Sequence, residues 1–153
     1  MLQDIQVLHV DDDPAFRDLT AEFLEQVDGA ITVVSESDPT VVPSRVQTEP
    51  IDCVVSDLEM PQRDGFELCR LVRAEHATLP FVLFTNRRGE EVVECAMEAG
   101  ATDYLQKKTG THHYTLLANR IRLLVSRHRA IQKLAEHDAG GTERSGGLGF
   151  SFE

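Results

Sequence analysis

The sequence predicts an α/β protein built on a doubly wound, five-stranded parallel sheet with helices on both faces. Five short apolar runs alternate with longer stretches whose apolar residues recur at helical spacing. The runs are apolar almost throughout, as in strands covered on both faces, and their alternation with helices is typical of parallel crossovers. The 153 residues, 41% hydrophobic and 27% charged, are enough for one core without disulfides or structural metals.

The first half of the chain contains three strands and two helices. Its apolar runs predict strands over 5–10, 31–35 and 51–56. Asp13 is a ready N-cap for the first helix, Pro14 suits its first position, and Gly29 stands where it should end. The stretch 39–48 contains three valines but also Pro43, and it predicts only a short second helix.

The second half adds two strands and three helices. The predicted strands cover 80–84 and 102–105, and the predicted helices cover 66–75, 89–99 and 111–137. Glu90 and Glu91 lie in the first turn of the fourth helix, where the helix dipole favours acidic side chains, and Gly100 ends that helix. Strand and helix thus alternate through the chain, and the crossovers between strands should be right-handed.

The last helix is longer than one sheet can cover. Its apolar positions step by four and three residues along a heptad seam formed by Leu117, Ile121, Leu124, His128, Ile131 and Ala135. We expect residues 1–126 to form the domain and residues 127–137 to project from it as a helical extension. The glycine-rich residues 138–153 are expected to be a flexible tail or linker. An ordinary amphipathic helix, without a partner along the seam, is the alternative.

Charge and composition exclude several classes of protein. The net charge is −11, with −15 on residues 1–106 and +6 on residues 107–137, so an acidic body ends in a basic helix. This balance disfavours direct binding of nucleic acid. No apolar run approaches the roughly 20 residues of a membrane span, so membrane insertion is not expected. Three widely spaced cysteines and a start unlike a signal peptide predict a cytoplasmic location.

Charged and hydroxyl side chains follow the strands of the predicted sheet. Asp11 and Asp12 follow the first strand, Asp57 the third and Thr85 the fourth, and Lys107 comes two residues after the fifth. In an open parallel sheet the carboxyl ends of the strands share one edge, where ligands bind. Clustered carboxylates favour a hard cation such as Mg²⁺, and a carboxylate can attack phosphorus. A lysine and a hydroxyl can then bind the phosphoryl oxygens.

Four short motifs, with the order of the elements between them, resemble a known family. They are VLHVDDDP at 7–14, VVSDLEMPQRDGFEL at 54–68, LFTN at 83–86 and AGATDYLQKK at 99–108. Over residues 4–126 the chain resembles the receiver domain of a two-component response regulator. The resemblance implies a flavodoxin-like fold with the strand order 2-1-3-4-5. It also implies a signalling switch that is activated by phosphorylation.

The resemblance implies a phosphorylation site with a bound metal ion. Asp57 corresponds to the phosphoacceptor, and a sensor histidine kinase would donate the phosphoryl group to it. Asp11 and Asp12 correspond to the acidic pair that binds Mg²⁺, with Asp57 and the backbone carbonyl of Glu59 as further ligands. Transfer to and from its own side chain is the only chemistry expected, so the chain is not expected to be an enzyme.

The resemblance further implies a conformational switch. Thr85 and Lys107 correspond to the residues that bind the phosphoryl group, and Tyr104 corresponds to the aromatic residue whose ring turns inward when Thr85 moves. The surface of the last two helices would then change its preference for a downstream protein partner. The uncovered seam and positive charge of the last helix also predict a homodimer through this surface.

Some residues around the motifs depart from the family pattern. Lys108 stands where the family usually has a proline whose preceding peptide bond is cis. Because a cis bond without proline costs about 2.5–4 kcal/mol, we predict that the Lys107–Lys108 peptide is trans. Asn86 stands where the family prefers a very small residue. His112 and His113 are adjacent, do not share a helix face, and are expected at the surface or the helix start.

Two other functions stay open on the sequence alone. A phosphatase of the haloacid-dehalogenase type also begins with a strand and a DxD pair, which Asp11 and Asp13 match, but the loop after Asp57 argues against it. The second is an interaction module that keeps the fold and binds partners without phosphorylation.

Twelve of the 15 basic residues are arginine, and this acidic, lysine-poor composition resembles that of proteins from salt-loving archaea.

Overall fold

The computed structural model describes residues 4–108 and 110–145, and it contains five strands and five α-helices. The strands are β1 (Ile5–Val10), β2 (Ile31–Glu36), β3 (Cys53–Ser56), β4 (Phe81–Thr85) and β5 (Asp103–Gln106). The helices are α1 (Pro14–Val27), α2 (Val42–Thr48), α3 (Gly65–Glu75), α4 (Glu90–Ala99) and α5 (His112–Ser145), and a 3-10 turn over Pro39–Val41 precedes α2. The observed elements follow the predicted order throughout.

All five strands pair in parallel, in the order β2-β1-β3-β4-β5. This confirms the predicted doubly wound sheet and its strand order. In the centre, Val7 of β1 pairs with Val33 of β2 on one side and with Cys53 of β3 on the other. The order changes direction between β1 and β3, which places the switch point beside the carboxyl ends of these two strands.

Two apolar clusters cover the two faces of the sheet. One contains Val46 of α2, Leu68 of α3 and Ala96 of α4. The other contains Leu24 of α1 and Ile121 of α5. Because each face is buried under its own helices, every strand needs apolar residues on both sides, which explains the continuous apolar runs in the sequence.

α5 is held against the opposite edge of the sheet, where the strands begin. Arg122 donates two hydrogen bonds to the Asp28 carboxylate at the end of α1, the Nε bond measuring 2.8 Å. Arg129 lies 3.2 Å from an Asp52 carboxylate oxygen, ahead of β3, and donates to the Asp4 carbonyl over 2.7 Å. These contacts fix the direction in which the second half of α5 leaves the sheet.

The far half of α5 differs from the sequence prediction in its end point. The helix runs to Ser145, past Gly140 and Gly141, although the sequence predicted an end near residue 137. The prediction rested on glycine, which costs about 1 kcal/mol relative to alanine in a helix, and this local preference alone does not end the helix here. Ile131 is 47% exposed and Ala135 is also exposed, so the end of the predicted seam is uncovered. Residues 146–153 of the predicted tail lie outside the described residues.

Two further expectations concern the Lys107–Lys108 peptide bond and membrane-spanning helices. None of the peptide bonds in the described residues is cis, so the Lys107–Lys108 peptide is trans as predicted. Within the same residues, no helix combines the length and the apolar character that crossing a bilayer requires.

Candidate functional site

Backbone hydrogen bonds continue the strand pairing by one residue past the strand ends. The Asp57 N–H donates to the Val10 carbonyl over 2.9 Å, and the Lys107 N–H donates to the Thr85 carbonyl over 2.8 Å. The Asp11 N–H donates to the Glu36 carbonyl over 3.1 Å. These bonds extend the pairing of β1, β3 and β5 with their neighbours and align the residues that follow these strands. The predicted site residues therefore meet at one edge of the sheet.

Three carboxylates form a cluster at this edge. One oxygen from each of Asp11, Asp12 and Asp57 lies within 4.8 Å of the others. Asp11 is buried, Asp57 is half-buried and Asp12 is exposed, so the cluster opens to solvent on one side. All of the donors are hard oxygen atoms, and a site that is open on one side leaves room for the waters that Mg²⁺ keeps. The donor set fits Mg²⁺, whereas soft transition metals prefer nitrogen and sulfur.

Lys107 joins two of these carboxylates. Its Nζ lies 3.2 Å from Asp11 Oδ2 and 3.4 Å from Asp57 Oδ1. The Lys107 side chain is only 10% exposed. Its Nζ also lies 4.0 Å from the centre of the Phe16 ring, which is a favourable position for a cation. The ammonium group is therefore held at the carboxylates by charge and by an aromatic ring beneath it.

Asp11 is fixed by its neighbours on the first loop. Its Oδ1 accepts the Asp13 N–H over 2.9 Å, and its backbone carbonyl accepts from Arg17 Nη1 over 2.7 Å. Asp13 caps α1 as predicted, because its side chain accepts the N–H groups of Ala15 and Phe16. The three consecutive aspartates thus do different things: one caps the helix, and the other two supply carboxylates to the cluster.

The surroundings of Asp57 disfavour its ionised form. Burial raises the pKa of Asp57, and the nearby Asp11 charge raises it further. The Lys107 charge and the Leu58 N–H, which donates to Asp57 Oδ1 over 2.8 Å, lower the same pKa, but they do not cancel the rise. The folded protein therefore holds a proton on Asp57 more tightly than the unfolded chain does.

This pKa shift predicts a pH-dependent change in stability. Because the pKa of Asp57 is higher in the folded protein than in the unfolded chain, ionisation of Asp57 lowers the free energy of unfolding at neutral pH. Without Mg²⁺, Asp57→Asn should raise the free energy of unfolding at pH 7. The gain should shrink as the pH falls through the pKa of Asp57, and vanish below the unfolded value near 3.8. Urea unfolding at several pH values measures this, with the exposed Asp18→Asn as the control. A gain that is largest in acid would contradict it.

A short chain of contacts links Thr85 to Tyr104. The Thr85 Oγ1 accepts the Arg87 N–H over 3.2 Å, and the Tyr104 hydroxyl donates to the Arg87 carbonyl. Thr85 is buried, and Tyr104 is half-buried beside a shallow cleft that Val93 and Glu94 of α4 also line. The loop after β4 thus connects the Thr85 hydroxyl, at the end of that strand, with an aromatic ring next to α4. This connection through Arg87 was not evident from the sequence.

Two histidines are buried near the site. His113 was expected at the surface or at the helix start; it lies in the first turn of α5, where its side chain is buried against Phe84 and Tyr114, and its Nδ1 accepts the Lys108 N–H over 2.7 Å. The helix-start alternative is thus correct and the surface alternative is wrong, because the first turn of α5 faces the sheet, a contact that residue spacing does not reveal. His9 is also fully buried, and burial with the nearby charges of Lys107 and Arg17 lowers the pKa of His9 to about 3.

Fold and site together define a doubly wound α/β domain with an acidic, lysine-containing edge, and comparison with known proteins gives the family. The model of the response regulator receiver domain matches residues 7–118, well over half of the chain. The chain therefore belongs to the receiver domain family. The family match also argues against the phosphatase alternative.

Similar sequences are found both in short proteins and within longer ones. An uncharacterised 14.6 kDa protein of Leptolyngbya boryana is 39% identical over 108 residues, which cover 69% of this chain and 81% of that protein. A protein-glutamate methylesterase/protein-glutamine glutaminase of Methylobacillus flagellatus is 32% identical, over 84% of this chain and 38% of the relative. The regulatory protein VirG of Agrobacterium fabrum is 35% identical, over 79% of this chain and 48% of the relative.

The chain thus spans less than half the length of the methylesterase and of VirG.

Among solved structures, the chemotaxis response regulator CheY4 of Vibrio cholerae matches 78% of the chain with a TM-score of 0.70 and 25% identity, and 99% of that structure is covered. The receiver domain of Klebsiella pneumoniae RstA matches with a TM-score of 0.69 and 31% identity, over 78% of this chain and 97% of that structure. The comparisons do not support a haloarchaeal source.

Proposed function

We propose that the chain is a phosphorylation switch in which Asp57 accepts a phosphoryl group. One observation carries this proposal: Lys107 Nζ lies within 3.4 Å of oxygens of both Asp11 and Asp57, at the edge where Asp12 adds a third carboxylate. A lone carboxylate cluster would suit a cation only. A buried lysine beside the carboxylates also suits an anion that arrives there, such as a phosphoryl group.

The proposed reaction moves one phosphoryl group. An oxygen of Asp57 forms a new bond to phosphorus, while the bond from phosphorus to the donor breaks, either at the phosphohistidine nitrogen of a sensor kinase or at an oxygen of acetyl phosphate. The nucleophile must be ionised, and the Lys107 charge favours that form of Asp57. Lys107 and Thr85 are the groups proposed to bind the phosphoryl oxygens as negative charge shifts during the transfer.

A bound Mg²⁺ would be held by Asp11, Asp12 and Asp57, and the backbone carbonyl of Glu59 is proposed as a further ligand. When bound, the ion neutralises the carboxylates and the phosphoryl oxygens that meet at this edge. The protein contributes the arrangement: Asp11 is held by the Asp13 N–H, and Asp57 by the Leu58 N–H. Both carboxylates are thus oriented before a ligand arrives.

The proposed switch passes through Arg87. If Thr85 turns toward the phosphoryl group, its oxygen no longer accepts the Arg87 N–H, and the loop after β4 is released. Tyr104 is bound to the carbonyl of the same residue, so its ring is freed to turn inward. Because Tyr104 shares a cleft with α4, its movement would change the surface that α4 presents.

The proposed partners use different parts of the molecule. A sensor histidine kinase would approach the carboxylate edge, and a downstream protein would bind the surface of α4 and α5. Apolar residues are exposed on both helices, including Met97 at 72% and Leu123 at 65%. The same surface is proposed for a homodimer. Three free cysteines, two of them buried, agree with the proposed reducing, cytoplasmic location, and no nucleic-acid partner is proposed.

Phosphoryl uptake from a small donor tests the proposed function. The wild-type protein is incubated with acetyl phosphate, with Mg²⁺ or with a chelator, and its intact mass is measured. We expect one phosphoryl group per chain with Mg²⁺ and a large loss of labelling with the chelator. Absence of uptake in both cases would favour the interaction module that works without phosphorylation. Repeated hydrolysis of an unrelated phosphate ester would instead favour a phosphatase.

A further inference from the structure

We propose that His113 is a positioning residue for phosphoryl transfer. Its Nδ1 accepts the Lys108 N–H, and this hydrogen bond fixes the backbone directly after β5 so that Lys107 reaches the carboxylates. His113 contacts neither Asp57 nor the space in which a phosphoryl group would bind, so it acts through Lys107. The inference rests on the proposed function, because it assigns His113 a part in the work of that site.

The hydrogen bond is short, and its acceptor is buried. The distance from the Lys108 nitrogen to His113 Nδ1 is 2.7 Å, and His113 is 7% exposed. The imidazole packs edge-on against Phe84, with ring centres 5.3 Å apart, and against Tyr114, with ring centres 4.2 Å apart. The ring therefore has little freedom to turn away from the Lys108 amide.

Two consecutive backbone N–H groups, those of Lys107 and Lys108, anchor this segment to β4 and to α5. The Lys107 N–H donates to the Thr85 carbonyl of β4, and the next N–H, that of Lys108, donates to His113 of α5. A proline at position 108 would have no N–H to donate. The backbone N–H that Lys108 provides at this position and the buried imidazole thus pair as donor and acceptor. Together with a trans peptide bond, they fix the backbone of Lys107 and Lys108 directly after β5.

The protonation state of the imidazole agrees with this role. Nδ1 accepts a hydrogen bond only when it carries no proton, so the ring must be neutral with its proton on Nε2. Burial lowers the pKa of His113, and the nearby Lys107 charge lowers it further. Both the burial of the ring and the Lys107 charge thus disfavour a charged imidazole. The neutral ring is the form that can hold the Lys108 amide.

Two substitutions at His113 separate the hydrogen bond from the packing. His113→Phe keeps a ring but removes the acceptor, whereas His113→Asn offers a carbonyl oxygen near the position of Nδ1. We expect phosphoryl uptake from acetyl phosphate to fall about tenfold in His113→Phe, as for the loss of one buried hydrogen bond. It should stay within about threefold of wild type in His113→Asn. The exposed neighbour His112, changed to Phe and to Asn, gives the matched controls. Equal rates for His113→Phe and wild type, or equally slow Phe and Asn variants, would overturn the proposal.

A spectroscopic measurement tests the positioning without a phosphodonor. Nuclear magnetic resonance should detect a coupling through the hydrogen bond between the Lys108 amide nitrogen and His113 Nδ1 in the wild type. The Lys107 methylene next to Nζ should show a ring-current shift from Phe16, retained in His113→Asn and lost in His113→Phe. No coupling, or a ring-current shift that is unchanged in His113→Phe, would overturn the inference. If the coupling and the shift behave as expected but the wild type takes up no phosphoryl group, the proposed function fails, and the structural role of His113 stands.

Discussion

Asp57→Asn is expected to remove phosphoryl uptake from acetyl phosphate, with labelling at least about a hundredfold below wild type. The amide of asparagine is a very poor nucleophile toward phosphorus compared with a carboxylate. It keeps the shape of the side chain, and its oxygen can still accept the Leu58 N–H that now binds Asp57 Oδ1. The variant should therefore fold, and by the argument from the raised pKa of Asp57 it should be at least as stable as wild type at neutral pH.

Intact-mass measurement after the same incubation with acetyl phosphate and Mg²⁺ decides this prediction. Asp18→Asn makes the same chemical change on an exposed residue of α1 and should label like wild type. Equal labelling of wild type and Asp57→Asn would show that another residue accepts the phosphoryl group. Asp12, the exposed member of the carboxylate cluster, would then be the next residue to test.

The sheet and the meeting of the strand ends could be predicted because both follow from periodic patterns. An apolar run of four to six residues followed by a helix indicates a parallel strand, and parallel strands bring their carboxyl ends to one edge. Asp11, Asp57 and Lys107 are far apart in sequence, yet each follows a strand directly or by two residues. Topology thus explains why the three residues share one edge, where Lys107 Nζ lies 3.2 Å from Asp11 Oδ2 and 3.4 Å from Asp57 Oδ1.

The contacts around Lys107 could not be predicted in the same way. Phe16 was recognised as an apolar position of α1, but its place beneath the Lys107 ammonium depends on how α1 lies over the end of β4. The burial of His113 depends on the rotation of α5, which adjacency in the sequence does not reveal. The link between Thr85 and Tyr104 passes through the backbone N–H and carbonyl of Arg87. Because almost every residue type has these groups, the residue type at position 87 does not indicate the link.

A substitution at Gly65 is expected to have the second large effect, on stability and on phosphoryl uptake, because Gly65 lies against the segment that carries Asp57. The Gly65 N–H donates to the Leu58 carbonyl over 2.7 Å, as α3 begins. A methyl group at Gly65 would lie 2.5 Å from the Asp57 carbonyl oxygen and 2.8 Å from Leu83 Cδ2. The first neighbour is backbone and cannot turn aside as a flexible side chain can, so α3 and the Asp57 segment would have to move apart.

Gly65→Ala is therefore expected to lower the free energy of unfolding by about 1–3 kcal/mol, the usual cost of an added methyl group without space. For a domain of this size that corresponds to a melting temperature lower by roughly 2–10 °C. Phosphoryl uptake should fall as well, because the Asp57 carboxylate moves with its backbone relative to Lys107. Thermal unfolding and intact-mass labelling of the same sample measure both effects.

Gly29→Ala is the matched control for this last prediction. A methyl group there would meet no atom within 4 Å, so its melting temperature should equal or slightly exceed that of wild type, since alanine reduces the freedom of the unfolded chain. The comparison separates crowding at Asp57 from any general effect of replacing glycine. A Gly65→Ala variant as stable as Gly29→Ala, with wild-type labelling, would mean that α3 can shift away from Asp57. The close approach of α3 would then play no part in placing Asp57.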